Sequence, residues 1–323
     1  MKKILAIFLS LTLLLSLCGC RLASGAVNAF SQDPTVLLFA GLDDAAENTD
    51  VLCLLSVDAE RERLAVLQIP RDTYFKEGAG ERINGIYASA RFAGASEKEA
   101  LSALSSQIEK CFGVSLSGTV AMKSAALCAT VDALGGVDVS LPFSITVEGK
   151  EYAAGTHHLS GAEAEAFIRY REGYLTGDLG RVDAQKIFLC AFLSRARQSL
   201  RPAELIRMLF SMRGDVITDL SLSRALSVGL SVHARLPYLS ASFATLPGEP
   251  LLSSGHWYYI VNRAGAVALL SEYFSPAREF DGERKLLDEE NAEQANIYND
   301  RNLTYRVYTE ENLSSIRIPT KKE

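Results

Sequence analysis

Arg169, Arg171, Asp178, Arg181 and Gln185 stand close together along the chain, between two helix-like segments. Three guanidinium groups beside one carboxylate and one amide make a set suited to a multiply charged anion. The planar arginine fork matches phosphate oxygens two at a time, which a lysine ammonium does not. Asp178, Arg181 and Gln185 follow i, i+3, i+7 spacing, so they share one face of a helix. Arg169 and Arg171, spaced i, i+2, point the same way if the chain there is extended. Any one of these arginines alone reads as a solvated, salt-bridged surface residue; the full set reads as a phosphate site. Phe188 and Phe192 continue the helical stripe beyond Gln185 and turn it apolar. They suit either plain core packing or the wall of a lipid cleft.

A second cluster depends on the elements that carry it. Thr35 to Ala40, Val51 to Val57 and Leu64 to Ile69 read as strands, the second a continuous apolar run typical of a strand covered on both faces. Short connections make the three an antiparallel meander. The end of the first strand, the start of the second and the end of the third then fall on one edge of the sheet. That edge gathers Asp43, Asp44, Asp50, Arg71 and Asp72. Asp44 reads as a turn former. Carboxylates beside an arginine suit a Mg²⁺ ion shared with a phosphate, because Mg²⁺ takes oxygen ligands and keeps substrate phosphates and waters.

Further along, Ser96 to Phe112 reads as an amphipathic helix with a Ser96/Glu99 capping box and Gly113 as its stop. Met122 to Leu134 reads as a second helix, ended by Gly135-Gly136, and Val137 to Leu141 as a strand. A Ser160/Glu163 capping box opens a helix to about Ile168, and a long helix runs from Asp178 to about Leu200. Residues 202–274 hold more helices and two strands, near Ser240–Thr245 and Trp257–Val261. This alternation predicts an α/β fold.

These residues resemble the LytR-CpsA-Psr family of bacterial cell-wall enzymes. The resemblance rests on Val36 to Asp43, Asn48-Thr49-Asp50, Ile69 to Thr73, Arg82-Ile83-Asn84 with Tyr87-Ala88, Val131 to Val139, and Arg169-Tyr170-Arg171 through Gly177-Asp178-Leu179-Gly180-Arg181 to Gln185. It implies a three-layer α/β/α sandwich around a mixed central sheet. It also implies transfer of a polyprenyl pyrophosphate-linked glycopolymer (teichoic acid, capsule or a similar polymer) to a peptidoglycan hydroxyl. The product is a phosphodiester, and polyprenyl phosphate leaves. Carried over, Asp43 and Asp50 would bind Mg²⁺ or Mn²⁺, and Arg71, Arg169, Arg171 and Arg181 would grip the pyrophosphate. Asp178 would orient the arginines, Gln185 would contact the head group, and Arg82 would face the phosphates where the family often has lysine. Catalysis would fall to Asp43, Arg71 and Arg181, with Asp43 helping to take the proton from the attacking hydroxyl. The family usually reads Arg-Thr-Asp where this chain reads Asn48-Thr49-Asp50. A charged hydrogen bond contributes about 1.5–3 kcal/mol, so losing one such cation would slow transfer roughly ten- to hundredfold. The competing reading is a non-catalytic receptor or scaffold for lipid-linked or wall polymer.

Residues 1–20 say where the site works. Lys2 and Lys3 precede an apolar run from Ile4 to Leu17, too short to span a bilayer comfortably but suited to a signal peptide. The run ends in Leu17-Cys18-Gly19-Cys20, which resembles a lipobox with Cys20 as the lipidated residue. An uncleaved signal-anchor helix is the alternative. Either places the rest of the chain on the outer side of the cytoplasmic membrane, tethered to it. Residues 21–34 read as a spacer, 35–275 as the catalytic domain and 276–323 as a charged tail with weak or partner-dependent order. Net charge is −6, with 22 % charged and 48 % hydrophobic residues. That acidic balance excludes nucleic acid as a partner. The scattered histidines exclude a histidine metal site or triad. Cys53, Cys111, Cys128 and Cys190 each lie in an apolar run and read as buried thiols.

Overall fold

The computed structural model describes residues 34–43, 45–76, 79–199, 201–212, 214–275 and 305–320. Asp44, the leader run and Cys20 lie outside the described residues. Three antiparallel strands open the fold: β1 (Thr35–Leu42), β2 (Thr49–Asp58) and β3 (Arg63–Gln68). They form the expected meander. In β2, Leu52 and Leu54 pack into one apolar cluster while Cys53 and Val57 pack into another. This is the strand's period-two alternation with both faces covered.

The first face is covered by α1 (Gly85–Phe92), through Tyr87, and by α2 (Glu97–Phe112), through Leu101, Leu104 and Ile108. The Ser96/Glu99 capping box is complete in both directions, and Gly113 ends α2 with φ 67, a left-handed value that disfavours a side chain. After β4 (Gly118–Met122) comes α3 (Ser124–Ala133) on the opposite face. Two small hairpin sheets follow, in which β5 (Val137–Leu141) pairs with β8 (Gly155–Leu159) and β6 (Ile145–Val147) with β7 (Lys150–Tyr152). Next are α4 (Gly161–Arg169) and the long α5 (Asp178–Ser199), which bury Phe167, Ile187 and Phe188 against the second face. The chain continues through α6 (Pro202–Ser211), β9 (Val216–Thr218), α7 (Leu222–Arg235), β10 (Ser240–Thr245), β11 (Gly248–Ser253), β12 (His256–Val261) and α8 (Arg263–Tyr273). A last strand, β13, spans Val307–Thr309.

The main sheet has seven strands in the order β13-β10-β3-β2-β1-β4-β9. β4 runs parallel to β1 and β10 parallel to β3. With helices on both faces this is the α/β/α sandwich around a mixed sheet. The carboxyl ends of β1, β3, β4 and β10 all emerge at one edge, the place where such sheets bind ligands.

Two expectations need correcting. Met122 does not begin a helix: it is the last residue of β4, paired with Gly41, and the helix starts at Ser124. A short apolar run does not distinguish strand from helix, and pairing with β1 decides it. Nor is the charged tail loosely attached throughout. β13 pairs with β10, Ile316 and Ile318 are buried in the second cluster, and Arg197 of α5 forms an ion pair with Glu310. The backbone N–H of Leu175 donates to the Pro319 carbonyl at 2.8 Å. Charged residues mark the exposed side of this segment, while its isoleucines belong to the core.

Ile316→Ala therefore should destabilise the domain by about 2–5 kcal/mol, the usual range for a fully buried Ile. Urea unfolding measures it, and a change under about 0.5 kcal/mol would mean that residues 305–320 are an appendage.

Candidate functional site

At the edge where β1, β3, β4 and β10 end, β2 begins. Asp50 sits at that start and Arg71 just beyond β3, and Arg71 Nη1 lies 2.5 Å from Asp50 Oδ1. The first turn of α5 comes down on the same rim. Asp178 Oδ1 is 2.6 Å from Arg181 Nη2 and 3.6 Å from Arg71 Nε, so one carboxylate holds two guanidinium groups together. Arg181 Nη2 also reaches the backbone carbonyl of Asp50 at 3.5 Å. Asp72 Oδ2 is 4.0 Å from Arg71 Nε and its Oδ1 is 3.4 Å from Arg82 Nε. The i, i+3, i+7 face of α5 therefore meets the rim of the meander, as the spacing predicts.

Charge in this cluster is tightly coupled. Burial alone would make the Arg71 guanidinium easier to deprotonate, but Asp178, Asp72 and Asp50 outweigh it and raise its pKa. For Arg181, only 5 % exposed, burial wins, and with help from Arg71 it lowers the pKa despite Asp178 and Asp50. Burial also raises the Asp72 carboxyl, with a further push from Asp178, and Arg71 and Arg82 only partly offset it. The Nε atoms of Arg71 and Arg181 are buried and donate no hydrogen bond. Buried donors are normally satisfied; here Arg71 Nε faces Asp178 and Asp72 at ion-pair rather than hydrogen-bond distance, and Asp178 Oδ1 is itself a buried acceptor without a hydrogen bond.

An apolar cavity of about 350 Å³ opens from this rim and runs between the sheet and α5. Asp43, Asp50, Arg169, Arg181 and Gln185 line its polar end; Phe39, Leu55, Phe188 and Phe192 line its wall, and Val232 and Leu236 of α7 and its end also contribute. The rings of Phe188 and Phe192 lie 6.1 Å apart. A charged mouth, with Asp43, Asp50 and Glu165 beside Lys123, Arg169 and Arg181, over a hydrophobic shaft matches an amphiphile with a polar head. Cys53 also faces the shaft, and burial pushes its thiol up to about 12. None of Cys53, Cys111, Cys128 and Cys190 is in a disulfide; the first two are buried as expected, and the last two are only half-buried.

Other expected residues are placed less simply. Arg169 is the last residue of α4, not part of an extended segment, and its Nη1 is 3.0 Å from Glu165 Oε1. The i, i+2 geometry therefore does not apply to Arg169 and Arg171. Arg171 is exposed on the turn that follows and does not line the cavity. The Gln185 amide spans two elements: its Nε2 donates to the Ile168 carbonyl at 3.1 Å, and its Oε1 accepts from Gln68 Nε2 at 3.3 Å. Arg82 donates to the Trp257 carbonyl through Nε at 3.3 Å and Nη2 at 3.1 Å. Asn48, which sequence marks as a missing cation, donates from Nδ2 to Asp43 Oδ2 at 2.8 Å, while the Glu47 N–H donates to Oδ1 at 2.8 Å. Asn48 thus holds the Asp43 carboxylate in place.

Among the described residues no group of three or more His, Cys, Asp or Glu side chains is placed to hold a metal ion. Asp43 and Asp50 nevertheless supply two carboxylates at the cavity mouth. Mg²⁺ needs only one or two when phosphate oxygens and waters complete its shell, so this donor set fits Mg²⁺ or Mn²⁺. Sequence reasoning missed Lys123 and Ser124, which follow β4 and line the cavity, and the β11–β12 hairpin bonded to Arg82. The one tryptophan in the chain was the available signal for the hairpin.

The chain matches the profile of the LytR_cpsA_psr family over residues 21–273. It is 26% identical over 236 residues to the polyisoprenyl-teichoic acid–peptidoglycan teichoic acid transferase TagU of Bacillus mycoides, across 71% of this chain and 74% of that protein. Among solved structures it superposes on B. subtilis TagV with a TM-score of 0.61 at 21% identity, covering 77% of this chain and 98% of that one. TagT bound to LIIa-WTA gives a TM-score of 0.60 at 22% identity, covering 75% and 91%. Among the described residues no helix is long and apolar enough to cross a membrane.

The raised Asp72 pKa has a testable sign. A carboxyl raised by folding opposes folding when ionised, so its penalty is absent below the ordinary carboxylate range and grows as pH rises. Asp72→Asn should therefore raise Tm at pH 7, with the gain shrinking as pH falls toward 3. A gain that is constant with pH would show that Asp72 ionisation is not its cause.

Proposed function

This chain belongs to the LytR-CpsA-Psr family, and we propose that it transfers a polyprenyl pyrophosphate-linked glycopolymer to peptidoglycan, forming a phosphodiester and releasing polyprenyl phosphate. The observation that carries the reading is the continuity of the arginine rim with the apolar shaft. One site would thereby take both the pyrophosphate and the start of its prenyl chain. One relative is named a polyisoprenyl-teichoic acid–peptidoglycan teichoic acid transferase, which names a polyisoprenyl-linked donor and a peptidoglycan acceptor.

Arg71 and Arg181, with Nε donors unused and Asp178 between them, would take the pyrophosphate oxygens. Arg169 at the mouth and the exposed Arg171 would close on the same charge from the α4 side. Arg82 would meet it from beyond Asp72. Gln185, held by Gln68 and Ile168, would support the head group from beneath. Phe188 and Phe192 would receive the prenyl chain. Asp43 and Asp50 would hold Mg²⁺ or Mn²⁺, which when bound neutralises phosphate charge. Arg71, now paired with Asp50, would then be freer to turn its fork toward phosphate.

The acceptor hydroxyl attacks the glycan-bearing phosphorus. A new oxygen–phosphorus bond forms, and the bond to the bridging oxygen breaks. Polyprenyl phosphate departs with that oxygen, and Asp43 receives the hydroxyl proton. Little covalent work falls to the protein, because positioning and charge neutralisation dominate phosphoryl transfer. Cys20 would carry the lipid that tethers the domain to the outer side of the cytoplasmic membrane.

Purified protein given a polyprenyl pyrophosphate-linked glycan and peptidoglycan should release polyprenyl phosphate only with a divalent metal. Binding without release would select the receptor reading. Arg181→Lys, which keeps the charge but loses the fork, should lower release roughly ten- to hundredfold. Asn48→Ala should leave Tm nearly unchanged and raise the metal concentration for half-maximal rate several-fold, because Asp43 loses its restraint. An unaltered metal dependence would remove Asp43 from the metal site.

A further inference from the structure

We propose that the free end of the β11–β12 hairpin is a sugar-binding platform, centred on Trp257, that seats the glycan strand supplying the acceptor hydroxyl. This rests on the transfer reading above. Trp257 is the only tryptophan in the chain and is 57 % exposed. Across the hairpin it faces Leu252, itself 53 % exposed. Cross-strand partners lie on one face, so the indole and the leucine make one apolar surface open to solvent. Such a patch on an otherwise polar rim marks a binding site.

The platform is fixed to the site. Arg82 holds the Trp257 carbonyl with two N–H donors, and its guanidinium carbon lies 5.3 Å from the centre of the Tyr258 ring. Tyr258 packs edge-on against the buried Tyr74, with ring centres 5.7 Å apart. The Tyr259 N–H donates to the Asp72 carbonyl at 2.8 Å, so the hairpin is also bonded to the strand exit that carries Arg71. Arg82 in turn lies beside Asp72, and Asp72 beside Arg71. A chain of ion pairs and hydrogen bonds thus runs from the indole's own backbone to the proposed phosphate site.

The transfer reading places a glycan rather than a bilayer here, because the acceptor hydroxyl belongs to one; Ser254, in the turn beside the patch, is exposed. A pyranose ring has an apolar C–H face and a hydroxyl rim. Its apolar face stacks on an indole, and its hydroxyls stay turned toward water. The acceptor polymer is too large for the shaft and must approach from outside, along this rim.

Because Trp257 is the sole tryptophan, indole emission of the full chain reports on this residue alone. Peptide-free peptidoglycan glycan strands should shift that emission saturably, and polyprenyl pyrophosphate should not. Trp257→Ala should raise the acceptor KM about tenfold, with a much smaller effect on kcat and on donor hydrolysis by water. Trp257→Phe should recover most of the loss. Unchanged emission with glycan, or equal losses in transfer and hydrolysis, would overturn the platform. So would an emission shift produced by phosphatidylglycerol vesicles and not by glycan. A wild-type protein that releases no polyprenyl phosphate would refute the transfer reading, while the emission titration would still decide glycan binding.

Discussion

Arg181 carries a guanidinium almost entirely removed from water. A charge so placed is tolerated only when other groups replace its hydration. Asp178, one helical turn away, and the backbone carbonyl of Asp50 do so in part. That requirement fixes the start of α5 against the start of β2, and much else follows. The helix must lie along the sheet with Gln185 over Gln68, and its apolar stripe must run down the inner face. The gap between that stripe and the sheet is the cavity. That pairing still leaves the Nε donors of Arg71 and Arg181 and the Oδ1 acceptor of Asp178 without a hydrogen bond.

Topology puts the other partners within reach. Two antiparallel pairings and two parallel ones bring four strand ends to a single edge. The cluster itself is close to electrically balanced: Asp50, Asp72 and Asp178 stand against Arg71, Arg82 and Arg181. A pyrophosphate arriving alone would have to compete with those carboxylates for the arginines. A cation on Asp50 would relieve that competition, and metal and donor would then be mutually reinforcing ligands.

Much of this was legible in the residues, and the exceptions share a cause. The continuous apolar run of β2, both capping boxes and the helical face of Asp178, Arg181 and Gln185 are local signals, and each is found where its pattern puts it. β4, β9 and β13 are short and owe their strand character to partners distant in sequence. Arg169 was misread because its geometry depends on where α4 stops, and helix ends are poorly specified by periodicity. Asn48 stands where the resemblance expects a cation, and its partnership with Asp43, made by the turn between β1 and β2, was not legible in the sequence. Trp257 was visible as a strand residue, but its tie to Arg82 crosses a long separation in sequence.

The edge strand β13 has a consequence for how the molecule is made. Without it, β10 would present unpaired N–H and C=O groups along an apolar sheet, a template for pairing with another chain. The residues that cover this edge follow β10 in the chain, so β10 is synthesised before the strand that pairs with it. Pairing between segments this far apart in sequence forms later than the local meander. Until Val307–Thr309 pairs with β10, that side of the sheet is open to self-association.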